Sequence, residues 1–353
     1  MSDFPEDPTA DLPYAFGGPP LRGVLRASPE DFQVDEQLGY SAGGEGEHAF
    51  LQVRKRELNT ADVARELARF AGVRQVNVGF AGMKDKYAVT TQYFSVHLPG
   101  QPDPDWQALG HPQIKILSAQ RHNRKIRRGS LRGNCFVLVL RELQGERAAA
   151  EQVLERIKVD GVPNYFGPQR FGRGASNLQR AEALFAGELR RVKPEQRRML
   201  LSAARSYLFN QVLAERVRQG NWQQGLAGEV MLLNGSNRQF LAEQIDAEIT
   251  QRLAEHDIHP SGPLPGDRGR CLQPLGEALQ LEQAALNDAL ALRWLDGLAR
   301  AREDSERRAL RLLADELQWQ WLADDVLELR FGLPSGAFAT TLVRELMRDA
   351  DEA

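Results

Sequence analysis

Period-two alternation appears at both ends of the chain with a long helical block between, and that order restricts the folds open to it. "FQVDEQL" (32–38) and "HAFLQVRKRE" (48–57) read as strands, and "TQYFSVHL" (91–98) sets Phe94, Val96 and Leu98 against Tyr93, Ser95 and His97. Residues 175–300 follow the helical period instead, in stretches such as "LLSAARSYLFNQVLAERVRQ" and "LEQAALNDALALRWLDGLAR". Alternation then returns: Leu317, Trp319 and Trp321 share one face, Asp324-Asp325 make a turn, and Leu327, Leu329 and Phe331 form the next face. Strands, helices, then strands imply an α+β domain whose mixed or antiparallel sheet is completed by the C-terminal hairpin, with a mainly helical insertion between its parts.

The remaining segments fit this frame. "NTADVARELARFAG" has Asn59 or Thr60 as a cap, Val63, Leu67 and Phe70 at helical spacing and Gly72 as a stop. "RQVNVGF" (74–80) alternates Val76, Val78 and Phe80 and predicts a strand, "NCFVLVLREL" is an apolar strand, and "ERAAAEQVLERIK" predicts a helix closing the first half. "HPSGPLPGDRGRCLQPLG" (259–276) reads as a Gly/Pro loop, and a last helix begins after Phe338. At 353 residues the chain suggests more than one domain, expected at 1–159, 160–306 and 307–353, the first and last completing one another.

Composition excludes several classes. The net charge of −3 does not advertise nucleic-acid binding, so any such function must come from local segregation of charge. Cys135 and Cys271 are too few for a disulfide framework and lack metal-ligand spacing, which points to a reducing cytoplasm. "MSDFPEDPTADLPYAFGGPP" carries acids and prolines where a secretory signal has a basic and then an apolar region, so no signal peptide is expected. No stretch reaches the roughly 20 apolar residues of a membrane span. No G-x-x-x-x-G-K-[ST], G-x-G-x-x-G after a strand, G-x-S-x-G or H-E-x-x-H occurs, and the histidines are scattered, which argues against nucleotide hydrolysis, dehydrogenase, serine-hydrolase and zinc chemistry.

Three constellations remain. "AGMKDKYAVTTQYFSV" (81–96) places Asp85 between Lys84 and Lys86 on a connection between two strands, where a rigid scaffold holds catalytic groups. "RHNRKIRRGSLRGN" (121–134) carries Arg121, Arg124, Lys125, Arg127, Arg128 and Arg132 with no acid, and feeds into Asn134 and Phe136, an amide and a ring that suit a base. It is either a phosphate-binding run or a solvated loop. "PNYFGPQRFGRGASN" (163–177) interleaves Tyr165, Phe166 and Phe171 with Arg170 and Arg173; the aromatics either meet extruded bases or pack into a core, and the arginines suit phosphate.

"GMKDKYAVTTQ" resembles the G-x-K-D-x-x-A-x-T-x-Q signature of the TruD family of tRNA pseudouridine synthases, and "SPEDFQVDE", "GEGEH", "LRGNCFVLVLRE", "GVPNYFGPQRFG", "LLSAARSYLFNQ" and "LPSGAFATTLVREL" look like its other blocks in order, from about Gly23 to Leu346. The resemblance implies a pseudouridine synthase-type catalytic domain interrupted by the helical insertion. It implies Asp85 as the catalytic aspartate, Phe136 as the ring that stacks on the uracil, and Phe32, Asn134 and Phe338 as pocket residues. Arg26 matches a basic residue placed near the acid. The implied substrate is uridine 13 of certain tRNAs, with no metal, no small-molecule cofactor and no membrane, and the enzyme is expected to act as a monomer.

The chemistry agrees with that implication. Turning a uracil and rejoining it through C5 oxidises nothing, so one ionised carboxylate suffices, and an ordinary Asp is ionised at neutral pH. Lys84 and Lys86, or Arg26, are expected to keep it charged when a flipped base arrives; the equal alternative is that the lysines bind phosphate and never touch Asp85. Two other readings stay open: an RNA-binding protein whose catalysis is incidental, and a nucleoside glycosidase, for which a second carboxylate paired with Asp85 is missing from the pattern.

Overall fold

The computed structural model describes residues 4–189, 191–267, 269 and 271–350. Strands β1 (Leu21–Leu25), β2 (Phe32–Gln37) and β3 (His48–Arg56) precede helix α1 (Thr60–Phe70), and β4 (Val78–Phe80), β5 (Val89–His97), β6 (Ile114–His122) and the long β7 (Gly133–Gly145) follow it. Next come α2 (Arg147–Asp160), β8 (Val162–Pro163), α3 (Ser176–Phe185), α4 (Pro194–Arg218), β9 (Glu229–Leu233), β10 (Gln239–Ala242), α5 (Ala247–Ala254) and β11 (Ile258–Leu264). After α6 (Gly276–Ala285), α7 (Ala289–Ala301), β12 (Glu306–Ala309) and β13 (Arg311–Leu312), the chain ends in β14 (Asp315–Ala323), β15 (Val326–Pro334), α8 (Ala339–Leu346) and β16 (Met347–Asp349). Among the described residues no helix is long and apolar enough to cross a membrane.

The architecture is α+β with a mixed sheet, as the periodicities require. Its main path runs β14-β15-β7-β2-β5-β3-β6, with β1 beside β7, β16 beside β1 and β4 beside β5. The C-terminal hairpin joins through an unbroken antiparallel ladder from Leu327↔Leu140 to Pro334↔Gly133. On the other edge of β7, β1 pairs residues near Leu140–Gly145 and β2 pairs Gly133–Leu138, so the chain between β1 and β2 leaves the ladder over residues 26–31. One face of the sheet is covered by α1, whose Val63, Ala64 and Leu67 pack on Leu51, Val53, Phe94, Val96 and Ile116.

Compactness divides the chain into two units: 20–149 with 314–339 and 347 onward, and the N-terminal segment to 19 with 150–313 and 340–346. The chain thus passes between units after residues 19, 149, 313, 339 and 346, where the expected limits were 159 and 306. The physical reason lies in contacts that the linear pattern does not show. Ala15 N–H donates to Glu345 Oε2 at 2.9 Å and the Tyr165 hydroxyl donates to the Pro13 carbonyl at 3.4 Å, so the N-terminal segment and the last helix join the helical unit.

Three local expectations are corrected. Residues 75–77 form a 3-10 turn that leaves Val76 63% exposed, so only Val78–Phe80 pairs with β5 and the alternation of "RQVNVGF" is half a strand. Part of the expected Gly/Pro loop is strand β11, which lies between β9 and β12. Proline can sit there because its carbonyl still accepts: Leu310 N–H donates to Pro260 O at 2.9 Å. Arg268 and Arg270 of that loop lie outside the described residues. The four-stranded sheet β10-β9-β11-β12 was not legible, because short runs such as "EVMLL" are buried almost throughout and show no period.

The helical unit is organised around α4, whose buried positions include Leu200, Leu201, Ala204, Leu208, Phe209, Val212 and Leu213. Near its end Arg216 Nη1 meets Glu229 Oε2 at 2.7 Å, with both side chains 2% exposed or less. The remaining guanidinium hydrogens reach the carbonyls of Asn221 and Gln224. Burial pushes the Glu229 carboxyl up, against the pull of Arg216. A buried pair of this kind is costly to break, because the surviving charge is left without a partner. Arg216→Met is therefore expected to lower unfolding free energy by about 3–5 kcal/mol in urea denaturation, and adding Glu229→Leu to recover most of that loss. Equal midpoints for Arg216→Met and the parent would show that the pair contributes nothing.

Candidate active site

Residues 81–88 connect β4 to β5 and expose large side chains, Met83 at 55% and Tyr87 at 49%, yet their backbone is tied down. Ala81 O accepts from Gly129 N at 2.8 Å, Gly82 O from Gln92 Nε2 at 3.3 Å, and Lys84 N donates to Thr60 Oγ1 at 3.0 Å. The Thr60 hydroxyl in turn donates to Gln92 Oε1 at 2.9 Å, so α1 and β5 hold the loop jointly. Lys84 Nζ reaches Glu36 Oε1 at 2.8 Å, and the other carboxylate oxygen accepts from Tyr93 N at 3.0 Å. Because Glu36 is fully buried, it requires that cation. Lys84 is thereby committed to Glu36; it neither touches the Asp85 carboxylate nor faces solvent for phosphate, unlike both expectations for it. Lys86 is exposed.

Asp85 is held from two directions. Its carboxylate oxygen Oδ2 accepts from Arg26 Nη2 at 3.0 Å, with the acid 44% and the arginine 23% exposed. Its backbone carbonyl accepts from Lys55 Nζ at 2.8 Å. Lys55 is 1% exposed, and burial pushes its ammonium down to about 8, with Asp85 acting in the opposite direction. Arg26 stands where the chain leaves the sheet after β1, in the left-handed region at φ 66°, a conformation that costs a non-glycine residue of order 1 kcal/mol and that concentrates at functional sites. Its guanidinium also lies 3.9 Å from the centre of the Phe32 ring.

The sheet brings the expected pocket residues onto neighbouring strands. Val34 faces Phe136 and Glu36 faces Asn134 across β2 and β7, while Phe331 and Leu333 face Phe136 and Asn134 across β15 and β7. Phe32 and Phe136 meet edge to face at 6.3 Å, and Phe136 stacks on Phe331 at 5.5 Å. Both expected rings are buried, and the buried Asn134 Oδ1 has no hydrogen-bond partner. An orphaned acceptor on the strand that carries Phe136 is a place for a donor from a ligand. Phe338 is half-buried, four residues past the strand end at Pro334.

Lys55, Glu36, Thr60 and Phe331 were missed from the sequence. A signal existed for Lys55: it continues the inward register of Ala49, Leu51 and Val53 along β3, where a lysine is out of place unless something claims its charge.

The basic run borders the same loop. Ile126 is buried and its N–H donates to Ser95 Oγ at 2.9 Å, Lys125 Nζ donates to the Val76 carbonyl, and Arg132 N–H to Gln37 O at 2.8 Å. Gly79 permits this approach, since a Cβ there would stand 2.5 Å from the Ile126 carbonyl. Arg121 pairs with Asp103 at 2.8 Å. Among the described residues, Arg124, Lys125, Arg127, Arg128 and Arg132 have no carboxylate partner, and Arg128 lies 4.1 Å over the Phe80 ring. The second cluster belongs to the other unit. There Tyr165, Phe166 and Phe171 are core residues at 1%, 5% and 0% exposure, so the packing alternative holds for them. Arg170 donates to Ser202 Oγ at 3.3 Å and leans on Phe166, with burial pushing its guanidinium down, whereas Arg173 is exposed.

A cavity of about 160 Å³ in the helical unit is lined by Leu184, Phe185, Leu201, Arg197 and Arg300 among others, with no acid or nucleophile to compete with Asp85. Among the described residues no group of three or more His, Cys, Asp or Glu side chains is placed to hold a metal ion.

Comparison with known proteins converges on one family. The model of the family described as tRNA pseudouridine synthase D (TruD) matches residues 11–181 and 175–346. A tRNA pseudouridine synthase D of Methylococcus capsulatus is 47% identical over 98% of this chain and 97% of its own length, and one of Nitrosococcus oceani is 48% identical over 95% and 93%. A crystal structure from Methanosarcina mazei bearing the TruD name superposes with a TM-score of 0.75 over 95% of each chain at 21% identity, which speaks to the fold. On the extent of these matches, this chain belongs to the TruD family of tRNA pseudouridine synthases.

Proposed function

We propose that the chain is an isomerase that converts a tRNA uridine, uridine 13 by the family resemblance, to pseudouridine with Asp85 as nucleophile. The observation that carries this reading is the Arg26–Asp85 pair, a partly exposed carboxylate on a loop whose backbone is pinned at Ala81, Gly82, Lys84 and Asp85. Reaction at a base requires the nucleotide to leave its stack, and an acid presented without loop reorganisation is suited to meet it.

The steps balance without an external donor. Asp85 attacks C1′ of the ribose or C6 of the uracil, the N1–C1′ bond breaks, the ring turns, C5 bonds to C1′, and the bond from Asp85 to C1′ or C6 breaks to return the free carboxylate. The proton lost from C5 leaves through Asp85 or a water, and N1 regains one. Arg26 pairs with the carboxylate and aims it. Phe136, backed by Phe331 and edged by Phe32, offers an apolar wall against which the turning ring is held. Phenylalanine has no hydroxyl, so it takes no proton. The orphaned Asn134 Oδ1 is matched to a uracil N–H, and Phe338 completes the wall.

In this reading the unit holding Asp85 is the catalytic domain and the helical unit is the insertion. Lys86 and the unpaired members of the 121–134 run contact phosphates; Arg173 is available for the same role. Free Cys135 and Cys271 suit a reducing, cytoplasmic setting for a monomer acting on tRNA.

Asp85→Asn is expected to lower pseudouridine formation by about 10³-fold or more while leaving tRNA affinity within roughly threefold. Carbodiimide-based mapping and filter binding measure the two separately. Undiminished product would remove Asp85 from the mechanism; loss of affinity with normal turnover would favour a binding role. Replacing Arg127 and Arg128 with Ala is expected to weaken tRNA binding and reduce the slope of log K against log salt by about 1–2. An unaltered slope would make the run a spectator.

A further inference from the structure

We infer that Lys55 is a positioning residue for catalysis, its buried ammonium gripping the backbone carbonyl of the residue that carries the reactive carboxylate. The inference rests on the reading of Asp85 as the nucleophile. Its geometric basis is the 2.8 Å bond from Lys55 Nζ to Asp85 O, made by a side chain that is 1% exposed and therefore cannot itself reach RNA.

Lys55 reaches the loop from inside the sheet. In the ladder it faces Thr90 of β5 and Ile114 of β6, and Thr90 Oγ1 is itself buried without a hydrogen-bond partner. The charged groups acting on it are few. Asp85 favours the ammonium and Lys84 opposes it. Glu36 on β2 takes up the charge of Lys84 and Arg26 takes the carboxylate of Asp85, while Arg54 and Arg56 on β3 point outward. Among the described residues no other side chain donates to the Asp85 carbonyl, and Lys55 links it to the β3 strand.

Burial pushes this ammonium down to about 8, so it changes charge within the range in which the enzyme can be assayed. Below that pH the carbonyl accepts from a cation, and a positive charge stands beneath the acid. Above it the donor is a neutral amine, whose bond is weaker and whose field is gone. Turnover should therefore decline as pH rises through about 8, because the presentation of the carboxylate is degraded.

The experiment measures kcat and KM from pH 6 to 9 on unmodified bulk tRNA, for the full-length parent, Lys55→Met, Lys55→Arg and Asp85→Asn. The parent should lose most of its kcat across pH 7.5–9. Lys55→Met should show kcat lowered about 10–100-fold, as expected of a misplaced reacting group, with no step near pH 8 and KM within about twofold. Lys55→Arg, which keeps its charge, should move the decline above pH 9. Titration of the RNA is common to all four proteins and cancels in the comparison. A flat parent profile overturns the inference even if the Met variant fails to fold, and so does an undiminished step in Lys55→Met. Retained activity in Asp85→Asn would overturn the proposed function along with it, whereas an inactive Asp85→Asn beside a Lys55-independent profile overturns this inference alone.

Discussion

The antiparallel pairing of β7 with β15 on one edge and with β1 and β2 on the other is the constraint on which the candidate site depends. Phe136 lies within hydrogen-bonding register of Phe331, almost 200 residues further along the chain, and of Val34, about 100 residues earlier. A one-residue slip on either edge would turn Phe331 or Phe32 to the opposite face and dismantle the aromatic wall. The same ladder creates the gap at residues 26–31 in which Arg26 leaves the sheet and turns toward Asp85.

Around the acid, four cations are sorted by the environment each finds. Glu36 is fully buried, so it claims Lys84, the nearest cation on the loop. Lys55 is buried against a carbonyl and loses part of its affinity for the proton, while Arg26, partly solvated, is left for the carboxylate. Lys86 remains in solvent. The ordering follows desolvation: a buried charge without a partner costs several kcal/mol, and exposed pairs contribute little, so buried demands are met first. One acid stays accessible on a backbone that cannot drift, as positioning of a reacting group requires.

Charge is segregated locally in a molecule that is acidic overall. Within the basic run, backbone and apolar atoms bind the loop to β4, β5 and the end of β2 through Ile126, Gly129 and Arg132, which leaves most of its guanidinium groups outward and free of carboxylates. A net charge of −3 then conceals a cationic border next to Asp85.

The alternation of Leu317 to Phe331, the helix after Phe338 and the position of Asp85 at a strand end were legible because each depends on residues two to four apart in the chain. The resemblance to a known family singled out Phe32, Asn134 and Phe136, and the ladder brings them onto adjacent strands. Other features depended on neighbours distant in sequence: the commitment of Lys84 to Glu36, the burial of Lys55 under Asp85, and the packing of Tyr165 and Phe166 in a core. Val76 shows the limit of local pattern, since its alternation was real and a single tight turn still placed it in solvent. By itself, then, the sequence determined the periodicities, the order of elements and the chemical groups available. Only the tertiary structure decided which cation meets which acid, because a charge is partnered by what burial places within about 3 Å of it, and that depends on the register of strands the linear pattern does not encode.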